Sequence, residues 1–200
     1  MRRLIPVLVG AVALFSSSVS AGDKLACYYG GGRLEDLARY DVVILQPGRY
    51  AAADVAKLKS LGHVTVLGYV SLGQDDQLRR GNGKGPGGWA SWYVDEFQGS
   101  GLSRPGKDGA PDKDADWNAY YVNPADRHWR ALVRDEVKDI KAMGMDGVFA
   151  DTVLLPDDKF TASLEKKMKK GMTKLVRSLK GWSGGVVYLN NAYDSLPAWA

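Results

Sequence analysis

The chain has 200 residues, 27 Lys and Arg against 23 Asp and Glu, and a formal net charge of +4. One hydrophobic core fits that length, and two of the cations, Arg2 and Arg3, fall in an N-terminal leader, so the remainder is close to neutral. Near-neutrality argues against nucleic acid as the main partner. The single cysteine, Cys27, excludes an intrachain disulfide.

The leader has a short positive region (Met1-Arg2-Arg3), an apolar run from Leu4 to Phe15, and a small, polar stretch ending Val19-Ser20-Ala21. This is the pattern of a secretory signal peptide, too short to span a bilayer well. Residues 1–21 are therefore expected to be removed, leaving residues 22–200 as one domain of a secreted or periplasmic protein. No membrane association is expected after cleavage.

Beyond the leader, strands and helices alternate. Leu25 to Tyr29 predicts a first strand, and Leu34, Leu37 and Ala38 a short helix. Asp41 to Gln46 predicts a second strand stopped by Pro47-Gly48. Ala51 to Leu61 predicts a helix with Val55, Leu58 and Leu61 on one side. Val64 to Ser71 predicts a third strand, with Val64, Val66 and Val70 on one face and Thr65, Leu67, Tyr69 and Ser71 on the other.

The pattern then lapses. Gln74 to Trp117 is rich in Gly, Asp, Lys and Pro without sustained periodicity, and loops of that length are usually functional or disordered. Trp89, Trp92 and Tyr93 lie within it, and Trp117, Tyr120 and Tyr121 at its far end. Such aromatics either stack on sugar rings or anchor the loop to the body.

Asn123 suits an N-cap and Pro124 the first turn of a long helix. Its stripe is Trp129, Leu132, Val133, Val137, Ile140 and Met143, and Gly144 ends it. Asp146 to Asp151 reads as a short buried strand with a carboxylate at each end. A second long helix is expected from about Lys159 to Lys180, striped by Phe160, Leu164, Met168, Met172, Leu175 and Leu179, with Gly181 as its stop and Gly171 tolerated inside. Its lysines, Lys166, Lys167, Lys169 and Lys170, read as a solvated face, with binding of an anionic polymer as the competing reading. A last strand, Val186 to Asn191, ends in two amides.

About five β/α units with right-handed crossovers imply a parallel sheet. The fold class expected is α/β, a TIM-like (β/α) barrel that is incomplete, since a full barrel needs at least about 200 residues, with one long loop insertion at about residues 74–117. A parallel sheet left open exposes an edge, so self-association through that edge is expected.

Several chemistries lack their motifs. Gly30-Gly31-Gly32 is followed by Glu35 where a dinucleotide fingerprint needs glycine. Tyr69 occupies the glycine position that a nucleophile elbow at Ser71 would require. His63 and His128 stand apart, so neither a metal site nor a cofactor is expected. What remains is carboxylates and amides at strand ends, where α/β sheets and barrels bind ligands. Asp151 is the foremost of these, with helix capping as its alternative role.

Three stretches resemble one family. They are Tyr69-Val70-Ser71-Leu72-Gly73 at the third strand, Asn123-Pro124 with Trp129-Arg130, and Asp146-Gly147-Val148-Phe149-Ala150-Asp151-Thr152-Val153, joined by Gln46-Pro47-Gly48. In order and spacing they are similar to glycoside hydrolase family 114, the endo-α-1,4-polygalactosaminidase-like proteins. The resemblance implies a TIM-like barrel cleaving α-1,4-linked galactosamine-rich polysaccharide, with Asp151 as a catalytic carboxylate. It also implies a partner glutamate after a later strand, which this chain does not reach. The family's glutamate after Ser-x-Gly is Gln74 here, and its third acidic position is Leu154. Glycoside hydrolysis generally uses two carboxylates. The second is therefore Asp75, Asp76 or a group outside the chain, and Asp75 is the candidate carried forward. Tyr29, Gln46, Tyr69, Ser71, Gln74, Trp89, Trp92, Asn190 and Asn191 are the candidate sugar-binding residues. The alternative is an inactive, truncated relative that binds carbohydrate or is vestigial.

Overall fold

A computed structural model of the chain describes residues 12–14, 24–96, 107–156 and 159–190. Its strands and helices in chain order are β1 (Val12–Leu14), β2 (Leu25–Tyr28), α1 (Leu34–Leu37), β3 (Val42–Leu45), α2 (Ala52–Leu61), β4 (Thr65–Ser71) and β5 (Gln74–Asp75). After these come β6 (Lys113–Asp114), β7 (Ala119–Tyr121), α3 (Arg127–Ala142), β8 (Gly147–Asp151), α4 (Ala162–Ser183) and β9 (Val186–Leu189).

The main sheet runs β1-β9-β8-β4-β3-β2. β2, β3, β4, β8 and β9 are mutually parallel neighbours. Among the described residues the sheet does not close on itself, which makes it an open, barrel-like α/β layer, as expected. Its two faces follow from strand alternation. Val43, Leu45, Val66, Val70, Val148, Ala150, Val187 and Leu189 pack under the helices. Val42, Ile44, Leu67, Phe149 and Tyr188 form a separate cluster on the opposite, inner face, with Cys27 and Tyr69 against it. The period-two reading of β4 is therefore met: its valines go to the helices and Leu67 and Tyr69 to the inner face.

β1 joins β9 antiparallel, Val12 opposite Leu189 and Leu14 opposite Val187. Val12–Leu14, from the apolar run of the expected leader, thus lie along the β9 edge. Residues 15–23, where cleavage is expected, lie outside the described residues. Deleting residues 1–21 leaves β9 without that partner. The expected result is concentration-dependent association in sedimentation velocity, and a monodisperse monomer would contradict it.

Two helix boundaries differ from expectation. α3 begins at Arg127 and is capped by Asp126, not Asn123, because the Asp126 carboxylate accepts from the backbone of His128 at 2.7 Å and Trp129 at 3.3 Å. A carboxylate also complements the helix dipole, whereas Asn123 closes the preceding turn by accepting from Ala125 N at 3.0 Å. α4 starts after the Thr161 cap and continues through Gly181 to Ser183. Burial of Ser183 extends it by a turn, and Gly184, at φ 65°, supplies the left-handed stop.

Gly171 has a more demanding role than tolerance. A Cβ there would lie 2.3 Å from the backbone N of Ala125, so the glycine lets α4 touch the chain entering α3. Gly171→Ala gains about 1 kcal/mol of helix propensity but forces backbone apart. The net expectation is a loss of about 1–3 kcal/mol in urea unfolding, and a stabilised variant would refute the close contact.

The long insertion is ordered in its described parts. β5, β7 and β6 form a second, antiparallel sheet in that order, and Tyr93 bridges to Val122. Strands of two or three residues produce no period to read. Trp92 is buried, with its ring tilted against Tyr93 at 5.8 Å and Trp129 at 5.9 Å. The Trp129 indole N–H donates to Leu72 O at 2.9 Å. These rings tie the insertion to α3 and the end of β4.

Candidate active site

Asp146 and Asp151 bracket β8 and do different work. Asp146, at the N-terminal end, accepts from Val66 N at 2.9 Å and pairs with Lys59 at 2.5 Å, which ties β4 to α2. Asp151 stands at the C-terminal end, about 16 Å away by strand rise.

Three donors hold the Asp151 carboxylate. The Tyr69 hydroxyl donates to Oδ2 at 2.9 Å, while Asn190 Nδ2 and the Thr152 backbone N–H donate to Oδ1, each at 2.8 Å. β4 and β9 flank β8, so Tyr69 and Asn190 reach Asp151 from either side. Asn190 is placed by its own N–H, which donates to Ala150 O at 2.9 Å and continues the strand register. A carboxylate offers about four lone-pair positions. With two taken on Oδ1 and one on Oδ2, the open one lies on Oδ2.

Aromatic rings build the wall beside it. Tyr69 stacks on Phe149 at 6.4 Å and meets Tyr29 edge-on at 5.5 Å. Tyr29 is 51% exposed, which leaves ring surface for a ligand. Burial, then the Asp151 charge, raises the Tyr69 hydroxyl far above its ordinary value of 10.0, so it remains a donor to Asp151. Burial likewise raises the Cys27 thiol above 9.0, partly opposed by a hydrogen bond with Tyr29. That suits a packing residue, not a nucleophile.

A bond to a charged acceptor contributes about 1.5–3 kcal/mol. If Asp151 is catalytic, Tyr69→Phe should lower kcat roughly 10- to 150-fold while the thermal midpoint holds. Unchanged kcat would exclude Tyr69 from positioning the carboxylate.

Thr152 lies in the stretch that resembles the family, but the sequence alone assigns it no role. It sits at φ 53°, a rare conformation for a β-branched residue. Its Oγ1 accepts from Gly73 N at 2.8 Å and Leu72 N at 3.2 Å, locking the end of β4 to the end of β8. Nothing local announces this, because the partners lie about 80 residues away in sequence.

Of the remaining sequence candidates, register puts Gln46 on the inner face, just beyond β3 and level with Tyr69. Ser71 is occupied structurally, its hydroxyl 2.8 Å from that of Thr152 and donating to Gln74 O at 2.7 Å. Gln74 donates to Asp114 at 2.8 Å, a carboxylate that also accepts from the Tyr121 hydroxyl at 3.1 Å. Trp89 is half-buried with the Arg80 guanidinium 3.7 Å over its ring. Trp92, buried between other rings, has no free face for a sugar, which corrects its expected stacking role. Asn191 lies outside the described residues.

Asp75 is placed differently from Asp151. Its side chain is 1% exposed and pairs with Arg79 at 2.6 Å, while the Tyr93 hydroxyl donates to it at 2.6 Å. Arg79 continues to Glu136 on α3 at 3.4 Å. Burial raises Glu136, opposed by Arg79 and reinforced by the charges of Asp75 and Asp76. Asp75, the carboxylate carried forward from sequence as partner of Asp151, is therefore tied through Arg79 to α3, on the helix side of the sheet, while Asp76 is exposed.

The sequence matches the model of glycoside-hydrolase family GH114 over residues 16–199. The chain belongs to family GH114. Among solved structures, it is similar to a variant of the glycoside hydrolase domain of PelA from Pseudomonas aeruginosa, at 22% identity and TM-score 0.65, covering 87% of this chain and 62% of that one. Ega3 from Aspergillus fumigatus, solved in complex with galactosamine, gives 17% identity and TM-score 0.60, with 92% and 66% covered. The α-galactosidase TtGalA from Thermus thermophilus gives 13% and 0.53, with 81% and 36% covered. At these identities the likeness establishes the fold. The chain spans 62% of the PelA domain and 66% of Ega3. No curated protein matches it at a significant level. Within this GH114 chain, among the described residues, no group of three or more His, Cys, Asp or Glu could hold a metal ion. No helix there is long and apolar enough to cross a membrane.

Proposed function

We propose that the C-terminal end of β8 is the catalytic centre of a glycoside hydrolase acting on galactosamine-containing polysaccharide outside the cytoplasm. The observation that carries this reading is the Asp151 carboxylate at a barrel-strand end, held from both neighbouring strands by Tyr69 and Asn190. Family membership and the galactosamine complex of Ega3 support the substrate class. The leader in residues 1–21 supports export.

In this reading Asp151 is the acceptor carboxylate, a nucleophile or base. Among the described residues three donors and no acceptor hydrogen-bond to its carboxylate, and the open position on Oδ2 points to the reacting atom. A sugar ring seats against the exposed ring of Tyr29, with Gln46 available as a polar contact. In this reading the second carboxylate that hydrolysis needs is not Asp75, which is buried against Arg79 and the Tyr93 hydroxyl and anchors the insertion toward α3.

The test is to incubate the purified chain with a deacetylated α-1,4-galactosamine polymer and measure new reducing ends, beside its fully N-acetylated form and a glucosamine polymer. Release from the galactosamine polymer alone supports the reading and places a second carboxylate within the chain. No release from folded protein, with no binding of the polymer, would defeat it.

A further inference from the structure

We propose that a cationic groove between α3 and α4, separate from the Asp151 site, binds a phosphate group. The groove encloses about 250 Å³ and is lined by Ala125, Arg130, Lys167, Lys170, Gly171 and Lys174. That is below the about 300–1,000 Å³ usual for organic ligands and suits a compact oxyanion.

Two otherwise unexplained costs meet there. The first is charge. α4 carries seven Lys or Arg residues against the single acid Glu165. Lys167 and Lys170 stand three apart, and Lys170 and Lys174 four apart, the spacings at which like charges destabilise a helix. Among the described residues no carboxylate lies within ion-pair distance of Lys167, Lys170 or Lys174. The second is a buried donor. Arg130 Nε has no hydrogen-bond partner among the described residues, and an unsatisfied buried donor is costly. A single phosphate would offset the ammonium groups, and a turn of the Arg130 side chain, whose Nε is closed off from solvent, would let its guanidinium donate to the phosphate oxygens.

The groove exists because of Gly171. The close approach of α4 to Ala125 brings the α4 backbone down at that point. Lys167 and Lys174 flank the crossing one turn to either side, and Arg130 faces it from the first turns of α3. The charge is local, since the chain as a whole is only +4.

Phosphate can come free or as a phosphodiester on a polymer, and the two are separable. The full chain is titrated with inorganic phosphate and with polyphosphate at equal phosphate concentration, by calorimetry at constant ionic strength set with chloride. Saturable binding of inorganic phosphate with sulfate as a competitor is expected, weakened tenfold or more in both Lys170→Glu and Arg130→Lys. Arg130→Lys keeps the charge and removes the guanidinium, so it separates a built site from diffuse attraction. Circular dichroism and melting check both variants for folding. Equal affinity per phosphate identifies the free ion as ligand. Affinity at least tenfold greater for polyphosphate, with a steeper salt dependence, identifies the polymer-borne group. Non-saturable binding, or affinities within twofold of wild type in both folded variants, would overturn the proposal.

Discussion

Asp151→Asn is expected to lower hydrolysis of a galactosamine polymer by about 100- to 10,000-fold with the fold unchanged. The substitution is nearly isosteric, and its hydrogen bonds can be retained. The carboxamide oxygen can accept from Asn190 and the Thr152 N–H in place of Oδ1, and its NH2 can donate to the Tyr69 hydroxyl, which turns acceptor. What is lost is the charge and the basic oxygen aimed at the reacting atom. Initial rates of reducing-end release, beside a melting curve, separate the two effects. Rates within threefold of wild type in a folded variant would remove Asp151 from the chemistry. A collapse of the melting temperature would instead assign it to the sheet.

Asp75→Ala should act through stability. The substitution leaves Arg79 with Glu136 alone, at 3.4 Å, and removes the acceptor of the Tyr93 hydroxyl and of the Gln77 N–H. Breaking a buried pair costs about 3–5 kcal/mol. Arg79 is 25% exposed, and that solvation reduces the expectation to about 2–4 kcal/mol. For a chain of this size the melting temperature should fall by roughly 5–15 °C. Asp75→Asn, which keeps an acceptor for Tyr93, should lose less. Turnover per folded molecule at low temperature should stay near wild type for Asp75→Asn. A folded but inactive Asp75→Asn would restore this residue as the second carboxylate.

The two aspartates show why sequence proximity misleads about sites. Asp75 follows the β4 motif by a few residues and seems close to the chemistry along the chain. The turn through Leu72 and Gly73, held by Thr152 Oγ1, sends it to the helix side. Asn190, nearly 40 residues from Asp151, is its direct partner because parallel pairing of β8 and β9 sets them side by side.

Much was legible from residues alone. Alternation along β4 assigned its two faces, because side-chain direction in a strand has a strict period of two. The stripes of α3 and α4 named their buried residues, because amphipathic helices bury one face whatever they pack against. The position of Asp151 at a strand end followed from its place directly after the apolar Val148-Phe149-Ala150. Tertiary structure alone decided the rest. The ordered insertion depends on strands of two or three residues, and on rings of Trp92, Tyr93 and Trp129 that meet across distant segments. Whether Trp92 meets a sugar or the core is a matter of what covers it, and composition is the same in both cases. The left-handed Thr152, the requirement for Gly171 and the groove beside Arg130 arise from contacts between segments far apart in the chain. Local sequence specifies which way a side chain points along its own element, and only packing specifies what it meets.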